Sequence, residues 1–302
     1  MSPDWKPTYE LSETKQVSLP GRDATTVWDS GAPKRSFTFG AATDKALSEE
    51  APPPLLLLHG WNIDAPTNYG YAFPKLAASQ RTVMYDQQGH GDGPRHDAPF
   101  TLTDAARDAV TVLDALEIDA AIIVGYSLGG AVAQTFAHEH PDRCAGLVLS
   151  ATAGVFSETA RERAEFGVLA RTARLLRKVP TGARSKLFEV ILGATTRKYP
   201  PWIADVVRKG DPINLLEAGA SLGGFDSTSW TESTVFPSSF VVTATDTIVP
   251  MRRQVELATA LKVDSMHSVP VGHEVPILNH DDYNTALTEA VRTVTGLVEQ
   301  RS

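Results

Sequence analysis

Short runs of apolar residues alternate along this chain with segments in which apolar residues recur every three or four positions. The runs are Leu55 to Leu58, Arg81 to Tyr85, Ala121 to Val124, Ala145 to Leu149, Phe240 to Thr243 and Ser265 to Pro270. Each is strand-sized. Between them, Leu102, Ala106, Ala109, Val110, Leu113 and Leu116 fall on one helical face, with Thr101 or Thr103 placed to cap it. Val132 and Phe136 carry a second stripe that Pro141 stops, and Tyr283, Leu287, Val291, Val294 and Leu297 mark a last helix. A strand that is apolar throughout has no face to leave in water. The pattern therefore predicts an α/β fold, a mostly parallel sheet with helices on both faces.

Two segments break the alternation. Residues 1–50 are polar, with short β-like runs such as Ser36 to Phe39. They predict an antiparallel edge hairpin and a loose connection ending in Pro52, Pro53 and Pro54. From Val155 to Val235 no strand candidate occurs. Phe166, Leu169, Ala173 and Leu176 share one face of a first helix there, and Pro180, Pro200, Pro201 and Pro212 punctuate the rest. The expected organisation is a core made of residues 1–154 and 236–302, with a helical cap, residues 155–235, inserted into it. The cap holds 12 Lys and Arg against 9 Asp and Glu, while the whole chain has a net charge of -8. A solvated helix surface accounts for that excess; drawing in anionic substrates is the sharper alternative.

Composition narrows the partners. With 42% hydrophobic and 21% charged residues, the chain has the make-up of an ordinary globular protein. Its acidity argues against nucleic acid as a partner. No apolar run reaches membrane-spanning length, so no stable membrane insertion is expected. The first ten residues contain no apolar stretch of a signal peptide, and the expectation is a cytoplasmic protein acting on a small-molecule substrate. Self-association as a homodimer stays open. The single cysteine, Cys144, excludes an internal disulfide and a thiolate metal cluster, and reads as a packing residue.

The chemistry concentrates where the apolar run ending at Val124 meets the next helix. Gly125, Ser127 and Gly129 form a Gly-x-Ser-x-Gly turn between a strand and a helix. Such a turn holds its serine in a strained conformation, with Oγ exposed at a helix N-terminus that favours negative charge. A serine hydroxyl needs a base, and the base needs an acid to orient it. Asp246 follows the run Phe240 to Thr243, and His273 follows the last run directly after Gly272. Both lie past the carboxyl ends of strands, in the order Ser, Asp, His. Asp246 would fix one imidazole tautomer, and His273 would take the Ser127 proton and return it to the leaving group. Asp246 read alone is as readily a turn cap. His267, inside the last run, and His280, at the start of the last helix, compete with His273 for the base.

A tetrahedral intermediate also needs two N–H donors. Leu128 N–H, after the nucleophile, is one candidate; Trp61 N–H, in the loop after Leu55 to Leu58, is the other. His59 and Gly60 shape that loop, with His59 read as a hydrogen-bonded scaffold. His59, Trp61 and Tyr126 are also candidates for touching substrate. Trp61, Tyr69, Tyr71 and Phe73 either wall an apolar pocket or fill the core.

Taken together, Leu58 to Trp61, Tyr85 to Gly91, Gly125 to Gly130, Thr245 to Pro250 and Gly272–His273 make the chain similar to the α/β-hydrolase superfamily, from about Leu55 to Leu297. The resemblance is strongest to the bacterial carboxylesterase and lipase-like branch. It implies an eight-stranded, mostly parallel sheet, a helical cap after strand six, and no metal or organic cofactor. The family often has an arginine where Gln88 stands; that loop reads as structural, so the departure leaves catalysis in place. Haloalkane dehalogenases and epoxide hydrolases are similar but carry Asp where Ser127 stands, and the Gly- and Pro-rich loop of proline iminopeptidases does not match His59 to Trp61. The expected activity is cleavage of a carboxylic ester with a mostly apolar acyl or alcohol part. Thioester, lactone or carbon–carbon bond hydrolysis, cofactor-free perhydrolysis, and ligand binding without turnover remain the alternatives.

Overall fold

The computed structural model describes residues 8–32, 51–95, 97–180, 183, 200–231, 235–278 and 281–301. Eight strands form one sheet: β1 (Thr14–Val17), β2 (Thr25–Asp29), β3 (Leu55–Leu58), β4 (Thr82–Tyr85), β5 (Ala121–Tyr126), β6 (Cys144–Ser150), β7 (Ser238–Thr243) and β8 (Ser265–Val269). Their order across the sheet is β1-β2-β4-β3-β5-β6-β7-β8. The β1–β2 and β2–β4 pairs are antiparallel and all the others are parallel.

The central strands are apolar throughout because both of their faces are covered. Leu56 and Leu58 on β3 and Ile123 on β5 point into one hydrophobic cluster, with α3 (Leu102–Ala115) and α4 (Leu128–Glu139). Their sequence neighbours Leu55, Leu57, Ile122 and Val124 point into the other. That second cluster holds the short helices α1 (Ala65–Tyr69) and α2 (Phe73–Ala77), and the last helix, α9 (Asp281–Glu299), through Tyr283, Leu287, Val291 and Val294. Alternation with a period of two thus splits each strand between two buried layers. Thr101, and not Thr103, caps α3, accepting from Asp104 N–H at 3.0 Å. Cys144 is buried and free, as a packing residue would be.

One expectation is met and one changes. The edge hairpin exists, but it is Thr14–Val17 against Thr25–Asp29; the run Ser36 to Phe39 lies outside the described residues. Asp29 pairs with Lys15 at 3.0 Å and with Arg81 at 2.9 Å, clamping the hairpin to the start of β4. The last strand is not apolar throughout. β8 is the sheet edge, with Met266 53% exposed, so only one of its faces needs apolar residues.

Between β6 and β7 the described residues hold four helices, α5 (Ala160–Leu176), α6 (Pro201–Lys209), α7 (Pro212–Leu222) and α8 (Thr228–Thr231), and one isolated bridge, Val155 to Asp226. A capping box of Thr159 and Glu162 starts α5. A bidentate pair, Arg177 to Glu217, ties α5 to α7 at 2.7 and 2.9 Å. Ala173, Leu176 and Ile213 pack within the insertion, whereas Ala218, Leu222 and Phe225 join the core beneath it, with Phe166 packed against them. Leu169, from the same predicted face, is half-buried. Among the described residues no helix is long and apolar enough to cross a membrane.

Candidate active site

Ser127 sits between β5 and α4 with φ 52° and ψ -116°. This is a left-handed φ that L-residues with a side chain rarely take, so the surroundings must hold it there. Ser127 N–H donates to Ser150 O at 3.0 Å, and Thr152 Oγ1 donates to Ser127 O at 2.9 Å. The end of β6 thus grips the turn from both sides. The flanking glycines are steric requirements: a Cβ on Gly129 would lie 1.9 Å from Leu58 O, and one on Gly125 would lie 2.5 Å from Gly129 O. Strand and helix can approach this closely only without them.

The structure brings the three residues read from distant loops into one chain of contacts. His273 Nε2 lies 2.9 Å from Ser127 Oγ, and His273 Nδ1 lies 2.7 Å from Asp246 Oδ2. Asp246 is fixed in turn. Its Oδ1 accepts from Ile248 N–H at 2.8 Å and Val249 N–H at 2.9 Å, and its Oδ2 also accepts from Thr243 Oγ1 at 2.8 Å. Burial alone would push this carboxyl up. The hydrogen bond from His273, its charge and the Val249 and Thr243 donors outweigh burial and hold Asp246 below its ordinary value. Asp246 is therefore both turn cap and partner of the imidazole, so the two readings of it describe one arrangement. His267 stands on β8, with its ring nitrogen 3.4 Å from Ser265 Oγ and away from Ser127; His280 lies outside the described residues.

The loop after β3 lies against the elbow: a Cβ on Gly60 would be 3.5 Å from Ser127 Cβ. Leu128 is the first residue of α4, and neither its backbone N–H nor that of Trp61 is used by another described residue. Both are thus free to donate to an oxyanion. Trp61 is held from the insertion, its Nε1 donating to Leu215 O at 2.6 Å and its indole seated on Gly219. His59 does not line the cavity, and the expectation that it touches substrate is corrected. It is fully buried, with Nδ1 2.8 Å from Gly60 O and Nε2 accepting from Gln87 N–H at 2.9 Å. Both ring nitrogens are spent on backbone groups, one in its own loop and one in the loop after β4. Burial depresses its pKa to about 4, so it stays neutral as a scaffold. Tyr126 does border the cavity, and its hydroxyl donates to His273 O. Tyr69 and Phe73 are core aromatics, Tyr69 donating to Leu58 O at 3.0 Å. Tyr71 lies edge-on to Tyr9, away from the cavity.

Above Ser127 opens a cavity of about 330 Å³. Its wall comes from the β3 loop (Trp61, Ile63), the insertion (Phe156, Phe166, Ile203, Val207, Leu222) and the loops bearing Asp246 and His273 (Ile248, Val249, Pro276, Ile277). Several supports escaped the sequence reading. Asn68 Oδ1 accepts from Gly60 N–H at 2.8 Å, and Gln254 packs behind Thr243. Asn68 was hidden in a helix with no motif. The Tyr85 to Gly91 loop is structural as expected, and beside Gln88 a guanidinium arrives from elsewhere: Arg22 donates to Gln88 Oε1 at 3.1 Å and pairs with Asp108 at 2.5 Å.

A family model for the alpha/beta hydrolase fold matches residues 53–279. The chain belongs to the α/β-hydrolase family. Among curated relatives it is 29% identical over 259 residues to the pimeloyl-[acyl-carrier protein] methyl ester esterase of Chromobacterium violaceum, covering 80% of this chain and 95% of that one. It is 41% identical to the 2-hydroxymuconate semialdehyde hydrolase of Pseudomonas sp. strain CF600 over 105 residues, only 34% of this chain and 37% of that relative. The enol-lactonase of Burkholderia xenovorans LB400 shares the fold with a TM-score of 0.69 at 17% identity, over 92% of this chain and all of that one (100%). These α/β-hydrolase relatives carry names of several hydrolytic reactions.

Proposed function

We propose that this α/β-hydrolase is a serine esterase of the carboxylesterase and lipase-like branch, acting on carboxylic esters with a mostly apolar acyl or alcohol part. The observation that carries the reading is the hydrogen-bonded line from Asp246 through His273 to Ser127 Oγ, opening into an apolar cavity. In the proposed cycle His273 Nε2 takes the Ser127 proton as Oγ attacks the ester carbonyl. The resulting oxyanion is met by the N–H groups of Leu128 and Trp61. The carbon–oxygen bond to the alcohol breaks as His273 returns the proton to it, leaving acyl-Ser127. Water then attacks the acyl carbon with His273 again as base, releasing the acid and restoring the hydroxyl. Asp246 stays ionised and holds Nδ1–H throughout. The insertion contributes Phe156, Phe166, Ile203, Val207 and Leu222 to the wall, and these apolar side chains favour an apolar acyl or alcohol chain.

The test is a screen of the purified protein against p-nitrophenyl esters of graded chain length, with fluorophosphonate labelling in parallel. Wild type should be labelled once, and Ser127→Ala should lose both labelling and roughly 10⁴–10⁶ of turnover. Labelling that survives Ser127→Ala, or no hydrolysis of any ester, would remove the reading.

A further inference from the structure

One charged residue on the cavity wall has no part in the proposed cycle. Glu274 follows His273 directly and lines the cavity. Its Oε2 lies 2.8 Å from where a Cβ on Gly272 would be, and its side chain is half-buried. Among the described residues no Lys, Arg or His pairs with its carboxylate and no donor hydrogen-bonds to the carboxylate oxygens, while its backbone carbonyl accepts from Ile277 N–H at 3.0 Å. Other carboxylates at this end of the molecule are partnered. Glu158 and Glu162 meet Arg252 and Arg253, and Asp246 meets His273. Glu274 also reaches Tyr126 electrostatically. Burial pushes that phenol well above its ordinary range, and Tyr283, Asp246 and Glu274 add to the push.

Apart from His273, whose ring nitrogens are engaged with Asp246 and Ser127, the described wall holds no basic side chain. The described insertion residues that reach the cavity are Phe156, Phe166, Ile203, Val207 and Leu222, none of them cationic. The basic excess of the insertion does not extend to this described lining, although drawing in anions was one reading of it. An unpaired carboxylate on an apolar wall repels a second negative charge and attracts a positive one, and the low polarity around it weakens the screening.

We infer that Glu274 is a specificity-determining residue that filters substrates by charge, excluding acyl or alcohol groups that carry a carboxylate and favouring neutral or ammonium-bearing ones. The inference rests on the serine-esterase reading above. Unit charges about 6–8 Å apart in a partly solvated cleft give roughly a three- to tenfold effect on relative rates, and added salt reduces it.

The test compares p-nitrophenyl esters of hexanoic, adipic and 6-aminohexanoic acid, which match in chain length and differ in terminal charge. Wild type should prefer the hexanoate to the adipate. In Glu274→Gln the adipate-to-hexanoate ratio of kcat/KM should rise roughly three- to tenfold, and the aminohexanoate-to-hexanoate ratio should fall by a similar factor. Glu274→Lys should move both ratios further, and high salt should shrink all these differences. Fluorophosphonate labelling of one Ser127 per chain establishes that each variant is folded. Ratios that stay put while esters are hydrolysed would overturn this inference alone. A common change in all three rates would also overturn it, assigning Glu274 to support of the imidazolium. Failure of wild type on every ester would remove the esterase reading and this inference with it.

Discussion

Replacing Asp246 by Asn tests the proposed acid through its geometry. The carboxylate has two jobs on two different oxygens. Oδ1 receives the N–H groups of Ile248 and Val249, and Oδ2 receives His273 Nδ1–H and the Thr243 hydroxyl. An Asn in the same place keeps one oxygen. Two backbone N–H groups hold it on the Oδ1 side, since turning it over would leave both without an acceptor and set two donors against them. The amide NH₂ then faces Nδ1, which must become an acceptor. The imidazole proton moves to Nε2, 2.9 Å from Ser127 Oγ, where a lone pair is needed. His273 is then in the wrong tautomer to take the serine proton. The expected loss is about 10³–10⁴ in kcat, about 4–5.5 kcal/mol of barrier. KM should change little, because the Asp246 side chain is wholly buried behind His273 and does not line the cavity. Steady-state kinetics on a p-nitrophenyl ester, fluorophosphonate labelling rates and a thermal melt together make the assay. The melt should stay near wild type, since the turn keeps its cap; Asp246→Ala should lose that cap and about 2–3 kcal/mol of stability as well. An Asp246→Asn enzyme within tenfold of wild type would refute the tautomer argument and point to another acid.

Acid should destabilise the fold through His59: its folded pKa of about 4 lies below an ordinary histidine, so between those values the unfolded chain binds a proton that the folded chain does not. Stability from this group is complete above about pH 6.5 and should fall by about 2.5 kcal/mol at pH 4.5. Burial raises Asp86 to about 8 and Asp108 to about 7, which opposes this change in the whole protein, so the measurement is the difference in urea unfolding between wild type and His59→Asn; a difference that does not vary with pH would contradict the buried neutral imidazole. Val207 on α6 borders the cavity, and each methylene buried there should raise kcat/KM about fourfold. Val207→Phe should end that gain at a shorter acyl chain while leaving the rate of fluorophosphonate labelling within a few-fold; an unchanged chain-length profile would place the acyl site away from the insertion.

Much of the molecule was legible in the chain because it depends on local rules. The apolar runs from Leu55 and Ala121 are strands buried on both faces, and such strands cannot disguise themselves with polar residues. The turn around Ser127 needs glycines on both sides for steric reasons that hold in one place only. Asp246 and His273 could be singled out because loops after parallel strands end at one edge of a sheet. Where surroundings are less demanding, the pattern misled. β8 is an edge strand whose outer face is free to be polar.

The sequence by itself determined the layered α/β architecture, the elbow and the order of the three candidate catalytic side chains, since periodicity and steric exclusion act between near neighbours. Only the tertiary structure decided which groups face one another. It committed both nitrogens of His59 to Gly60 and Gln87, brought Asn68 to the loop before Trp61, and set the indole of Trp61 under Leu215. It also lined the cavity with Phe166, Ile203 and Val207 while leaving the Glu274 carboxylate without an ion pair or hydrogen bond among the described residues. Those outcomes depend on how helices of the insertion pack over the ends of the strands. Helical periodicity says which face is apolar, and it leaves open which surface that face will cover.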